Sequence, residues 1–186
     1  MKQFILILLG SIITFSSYAQ QKAWEVDNAH SNLRFEVGWQ DFSMRTGEFK
    51  VFTGSIDTEA PEDLSKASIK FVVDATSVDV IADRLAMKVK SDAFLNVEVH
   101  PEITFTAIGM TKTSDNNYTS TGKLSICGVE KDQEVSVIYK GRKDTKKGEI
   151  FGIEVRLVVD RTRFGLDWGQ PRLGDQITLV GHLLYH

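Results

Sequence analysis

The sequence predicts an all-β fold: about eight short strands in an antiparallel barrel, with one helical excursion. Three observations lead there. Apolar and polar residues alternate along most of the chain beyond residue 20, the period of a strand with one buried face. Clusters of turn-forming residues separate these runs at short intervals. Large rings are plentiful, with 11 Phe, 3 Trp and 4 Tyr, and an eight-stranded barrel is just wide enough to pack such side chains or to hold one small ligand. A two-sheet sandwich satisfies the same alternation. Closure is favoured because it removes unpaired strand edges, and the supply of rings points the same way.

In the first run Leu33, Phe35, Val37 and Trp39 share one face, opposite Asn32, Arg34, Glu36 and Gly38. Further strands are expected at Glu48–Ile56, Ser68–Asp74, Ile103–Met110 and Tyr118–Cys127, then at Glu134–Lys140, Ile150–Asp160 and Gln176–Tyr185. These runs are rich in Val, Ile, Thr and aromatics. The connections have suitable chemistry: Pro61 with two acids in TEAPEDLS, the polar tip TSDNN, and KDTKKG ending at Gly148. The one helical pattern runs from Val80 to Phe94, with Leu85 and Val89 on one face, Asp79 as the expected cap and Pro101 beyond the end.

Residues 1–19 read as a secretory signal peptide, with Lys2, an apolar core from Phe4 to Ile13, and Ser17-Tyr18-Ala19 before the expected cut. The apolar run is shorter than the ~20 residues of a membrane span. The expected product is one domain, residues 20–186, periplasmic or secreted, with no stable membrane span once the leader is gone. Cys127 is the sole cysteine, so packing rather than an internal disulfide must hold the fold, and its expected status is a small buried apolar residue. A net charge of −3 gives no general field attractive to nucleic acid or anionic lipid. The basic cluster Arg142–Lys147 reads as a solvated hairpin turn.

The stretch DNAHSNLRFEV, residues 27–37, places an aspartate, a histidine and a serine within five positions. In extended chain His30 and Ser31 point to opposite faces, whereas a nucleophile and its base must lie within ~2.6–3.2 Å of each other. No G-x-S-x-G elbow accompanies them. Asp27, His30 and Ser31 therefore read as turn and backbone-bonding residues where a strand begins. The four histidines, His30, His100, His182 and His186, show no metal-binding spacing, so neither a metal nor a cofactor is expected.

Five segments resemble, in order, the signatures of the YceI family of lipid-binding, lipocalin-like proteins: DNAHSNLRFEV, GEFKVFTGSI, KSDAFLNVEVHPEITF, GKLSICGVEKDQEVSV, and DRTRFGLD followed by LGDQITL. The resemblance runs from about Trp24 to Tyr185. It falls on Asp27, His30 and Ser31, on Gly47 and Phe49, on Pro101 and Phe105, and on Gly122, Leu124, Gly128 and Val129. The late loop matches at Arg161, Phe164 and Gly165. Two departures stand out: Leu85-Ala86-Met87-Lys88 replaces an Arg-Asp-x-His run common in relatives, and Arg163 replaces an acidic or small polar residue.

The resemblance implies a lipocalin-like, eight-stranded antiparallel barrel of a small exported bacterial protein, whose channel holds a long isoprenoid such as a polyprenyl phosphate or a quinone tail. Burying ten methylene equivalents there is worth roughly 8 kcal/mol gross, or about micromolar affinity before association costs. The expected lining is Leu33, Phe35, Val37, Trp39, Phe49 and Phe71, with Phe105 and Leu124, and with Phe94, Phe164 and Trp168 near the helix and late loop. Lys88, Lys90, Arg161 and Arg163 are the head-group candidates. The expected function is therefore lipid carriage without a chemical step, by a monomer or homodimer. One rival is an enzyme acting on a lipophilic substrate in the same cavity through His30 or through Asp160 and Arg161; another is a solid-cored module that binds nothing.

Overall fold

The computed structural model describes residues 22–186; the expected leader lies outside the described residues. The strands are β1 (Lys22–Glu25), β2 (Asn32–Trp39), β3 (Ser43–Phe49), β4 (Phe52–Thr58), β5 (Ser68–Asp74) and β6 (Val78–Val80). After helix α1 (Asp83–Lys90) come β7 (Glu102–Ile108), β8 (Thr111–Ser114), β9 (Asn117–Ile126), β10 (Val129–Thr145), β11 (Gly148–Asp160) and β12 (Leu173–Tyr185). They form one curled antiparallel sheet in the order β1-β4-β5-β7-β9-β10-β11-β12-β2-β3-β6, with β8 a side arm on β9.

With the side arm β8 set aside, the remaining eleven segments reduce to eight strand paths, because three pairs are single paths broken by a local irregularity. β1 and β2 flank the 3-10 turn Asn28–His30, β3 and β4 flank Lys50-Val51, and β5 and β6 flank the 3-10 turn Ala75–Ser77. The all-β, barrel-like architecture expected from alternation is present, and the breaks are what alternation did not show. Glu48–Ile56, expected as one strand, is divided between β3 and β4, while β1, β6 and β8 carry too few residues to produce a periodic signal.

Two of the three breaks are stitched by residues of the DNAHS stretch, and the third by Asp74, whose side chain accepts from Thr76 N at 2.8 Å. Asp27 caps its turn, accepting from Ala29 N at 3.0 Å and His30 N at 3.3 Å, and its second oxygen meets His30 Nδ1 at 2.7 Å. Asn28 donates to Lys50 O at 3.1 Å and accepts from Phe52 N at 2.9 Å, filling the gap between β3 and β4. Ser31 Oγ accepts from Leu184 N at 2.9 Å, filling a gap in the ladder of β12. Unsatisfied backbone groups at such breaks would cost stability, and these side chains supply the missing partners.

One end of the barrel is sealed. Val26 bridges Tyr185, and Glu25 and His186 exchange backbone hydrogen bonds at 3.0 and 3.1 Å, so β1 joins β12 to β4. Trp24, Tyr118, Phe151 and Tyr185 are buried there. The Trp24 and Phe151 rings meet edge to face at 5.0 Å, and Phe151 stacks on Tyr185 at 5.1 Å, arrangements the ring quadrupoles favour. Burial raises the Tyr185 hydroxyl pKa far above its ordinary value.

At the other end the wall is incomplete. β6 pairs only with β3, and α1 follows beside it. The helix is shorter than Val80–Phe94. Ala82 occupies the N-cap position without a side-chain bond, while the expected cap, Asp79, lies in β6 and pairs with Lys50. The β3 strand claims the Asp79 backbone, so its side chain cannot turn back onto the helix. Cys127 also departs from expectation. It is half-buried in the tight turn between β9 and β10 with φ 51°, and its thiol lies 3.2 Å from Leu95 O, tying that turn to the segment after α1.

Candidate ligand-binding site

Alternation places Leu33, Phe35, Val37 and Trp39 of β2 on the inner face, paired across the ladder with Phe49, Gly47, Arg45 and Ser43 of β3. The space they help enclose is a cavity of about 340 Å³ behind α1 that continues into a smaller one of about 90 Å³ toward the sealed end. Val73, Ile103, Leu124, Leu157 and Leu179 border both, so the two form one channel. The larger volume lies within the ~300–1,000 Å³ of typical ligand sites. A groove of about 630 Å³ on the outer sheet face, between Arg34, Glu48, Arg156 and His182, is open and charged and offers no apolar enclosure.

Space remains among so many rings because of glycines on the neighbouring strands. A Cβ at Gly47 would overlap Phe35, one at Gly54 would overlap Phe71, and one at Gly122 would overlap Phe105. Each ring covers a glycine backbone on the adjoining strand, where no side chain competes for room. At Gly181 the nearest atoms to such a Cβ are those of Val155 at 2.8 Å and Leu33 at 3.3 Å.

The expected lining residues distribute as follows. Phe35, Val37, Trp39, Phe49, Phe94 and Trp168 border the larger cavity; Leu33, Phe71 and Phe105 border the smaller, and Leu124 borders both. Phe164 is buried in the core and borders neither, because the 3-10 turn Arg161–Phe164 carries it behind the wall. Leu85 and Val89 of α1, and Leu173 and Ile177 of β12, complete the opening.

The charged groups bordering the larger cavity are Arg45, Arg84 and Arg161; no carboxylate does so. Arg161, expected to meet a head group, is 0% exposed and its guanidinium is fully occupied by the protein. Nε donates to Gly174 O at 2.8 Å, Nη1 to Trp168 O at 3.1 Å and to Leu166 O, and Nη2 to Leu173 O at 2.8 Å and Asp175 at 3.1 Å. It anchors the loop that carries Trp168 to the mouth. Lys88 lies 5.4 Å from the centre of the Trp168 ring. Lys90 and Arg163 are not in the cavity wall. Arg45 stacks over Trp39 at 5.0 Å, leaving much of its hydrogen-bonding fork free. Sequence reading missed Arg45 because it began that strand at Glu48; extending the parity back from Phe49 through Gly47 would have found it.

The residues of the enzymatic alternative are dispersed. His30 is exposed beside Asp27, which it holds below its ordinary pKa by a hydrogen bond, and Ser31 is committed to β12. Asp160 caps its own 3-10 turn through Thr162 at 3.0 and 2.7 Å, and the Thr162 hydroxyl bond is the main cause of its lowered pKa. Among the described residues no group of three or more His, Cys, Asp or Glu is arranged to hold a metal ion, and no helix is long and apolar enough to cross a membrane.

Comparison with known proteins agrees with this architecture. A UPF0312 protein of Azotobacter vinelandii is 27% identical over 177 residues, covering 94% of this chain and 92% of that one. BcnA of Burkholderia cenocepacia superposes with a TM-score of 0.75 at 22% identity, over 86% of this chain and 98% of that one. A polyisoprenoid binding domain from Saccharophagus degradans superposes with a TM-score of 0.63 at 16% identity, over 88% of this chain and 97% of that one. The YceI-like domain model matches residues 24–183, nearly everything the structure describes, and the chain belongs to the YceI-like family.

Proposed function

We propose that this protein sequesters or carries an amphipathic lipid, an isoprenoid by class, with its tail in the channel and its polar head at the mouth. The observation that carries this reading is the channel itself: apolar along its length, sealed by rings at one end and bordered at the other by arginines without a carboxylate. The polyisoprenoid-binding domain that shares the fold supports the ligand class. Arg45 and Arg84 take the head-group role, suiting a phosphate or an oxygenated ring. No bond is made or broken in this function. Export to the periplasm or beyond is part of the same proposal and rests on the leader-like residues 1–19.

Native mass spectrometry of protein purified without detergent tests the reading. A stoichiometric lipid adduct is expected, and extraction should yield a prenyl chain. An adduct-free protein that also fails to take up added polyprenyl phosphate or quinone would refute it. For export, an N-terminus beginning near Gln20 on protein recovered from outside the cytoplasm is expected; an intact Met1 terminus there would count against cleavage.

A further inference from the structure

Large apolar side chains stand in solvent around the channel mouth. Phe42 is 95% exposed and Ile81 94% exposed, with Met44 and Met87 more than half exposed. Phe42 sits at the tip of the β2–β3 hairpin, between Trp39 and Arg45, both of which border the cavity. Ile81 leads into α1, which presents Arg84, Leu85 and Val89 to the cavity and Met87 to water. Single exposed apolar residues are ordinary, but several around one opening mark an interaction surface. Charge is also distributed unevenly. The rim segments 39–46, 81–95 and 162–173 hold six cations against four carboxylates, whereas the whole chain has 22 Lys and Arg against 25 Asp and Glu.

We infer that the mouth docks on an anionic bilayer surface, the hairpin tip and the exposed side of α1 entering the interface while the rim cations meet lipid phosphates. This rests on the reading of the channel as a lipid site. A long-tailed lipid has negligible solubility as a free monomer, so a carrier whose opening touches the bilayer moves the tail between two apolar phases without exposing it to water. A phenylalanine at a hairpin tip suits the interface, where aromatic rings partition favourably. Cations on the rim add attraction that salt screens. Charge alone does not select the mouth, since the hairpin at the sealed end carries Arg142, Lys143, Lys146 and Lys147 against Asp144; that hairpin has no exposed large apolar side chain, whereas the mouth combines cations with apolar groups that can enter the interface.

The test uses vesicles of phosphatidylglycerol or of phosphatidylcholine, some with brominated acyl chains that quench tryptophan. Phe42→Trp should add quenched fluorescence over the parent protein in phosphatidylglycerol vesicles, while Lys146→Trp, on the hairpin at the sealed end, should add only unquenched fluorescence. Phe42→Ser and the pair Arg45→Glu with Arg84→Glu should each lower partition into phosphatidylglycerol about tenfold, with circular dichroism unchanged. Equal quenching at both positions, or no quenching at position 42, overturns the inference, as does partition unaffected by the rim substitutions. A partner protein would leave vesicle binding absent. Because the assay needs no ligand in the channel, its failure is separable from failure of the native mass measurement.

Discussion

The two ends of the barrel use the same kind of residue to opposite effect. At the sealed end Trp24, Phe151 and Tyr185 pack ring against ring and fill the lumen. Along the channel Phe35, Phe71 and Phe105 lie over Gly47, Gly54 and Gly122 of the neighbouring strands, and space is left. Whether an inward aromatic closes a barrel or lines it therefore depends on what the adjoining strand places opposite it. A ring facing a ring forms a plug. A ring over a bare backbone becomes part of the wall.

The largest expected effects come from removing what fixes each end. Arg161→Met would leave the carbonyls of Leu166, Trp168, Leu173 and Gly174 and the carboxylate of Asp175 without their shared donor, and should cost about 3–5 kcal/mol. Denaturant unfolding measures the loss, and faster ligand release from the surviving folded protein should accompany it because Trp168 is no longer held at the mouth. Trp24→Ala at the opposite end should cost about 3–5 kcal/mol as well. Lipid stoichiometry in the folded fraction should stay unchanged, since Trp24 borders neither cavity. If Trp24→Ala emptied the channel, the separation between plug and lumen would be wrong.

A smaller change tests the wall. Gly47→Ala should crowd the Phe35 ring and also the Asp79 carbonyl and Val80 of β6, at about 1–3 kcal/mol, and reduce the length of tail accepted, read as a shift toward shorter prenyl chains in the native mass spectrum. Gly47→Ala combined with Phe35→Leu should bring back the longer chains but not all of the stability, since the Asp79 carbonyl still meets the added methyl. The mildest effect concerns Asp27, whose carboxyl is held below its ordinary 3.8 chiefly by the His30 hydrogen bond. A lowered folded pKa contributes stability that is complete above the unfolded value and disappears as pH falls through the folded one. Asp27→Asn should accordingly be less stable than the parent at neutral pH, with the two stability curves converging as the pH drops below 3.8.

How much of this was legible follows from the range of each interaction. Leu33, Phe35 and Val37 could be assigned to one face from parity alone, because that face depends only on residues two positions apart. The break at Lys50-Val51 could not, because the side chain that supports it is Asn28, 22 and 24 positions from its partners Lys50 and Phe52. The aspartate next to the apolar helical run looked like a cap, yet Asp79 is held in the sheet by β3 and ion-paired to Lys50. Arg161 carried a family motif and a charge, both consistent with a head-group contact. Its burial, and the loop carbonyls around it, appear only when residues 161–175 fold back on themselves.

By itself the sequence determined the all-β class, the inward face of most strands, the single helical excursion and the family, since each follows from local periodicity or from ordered motifs. Only the tertiary structure decided which inward rings plug and which line, which arginine is a loop anchor, and at which end the channel opens. Those outcomes depend on cross-strand register and chain closure, and both are set by contacts between residues far apart in the chain.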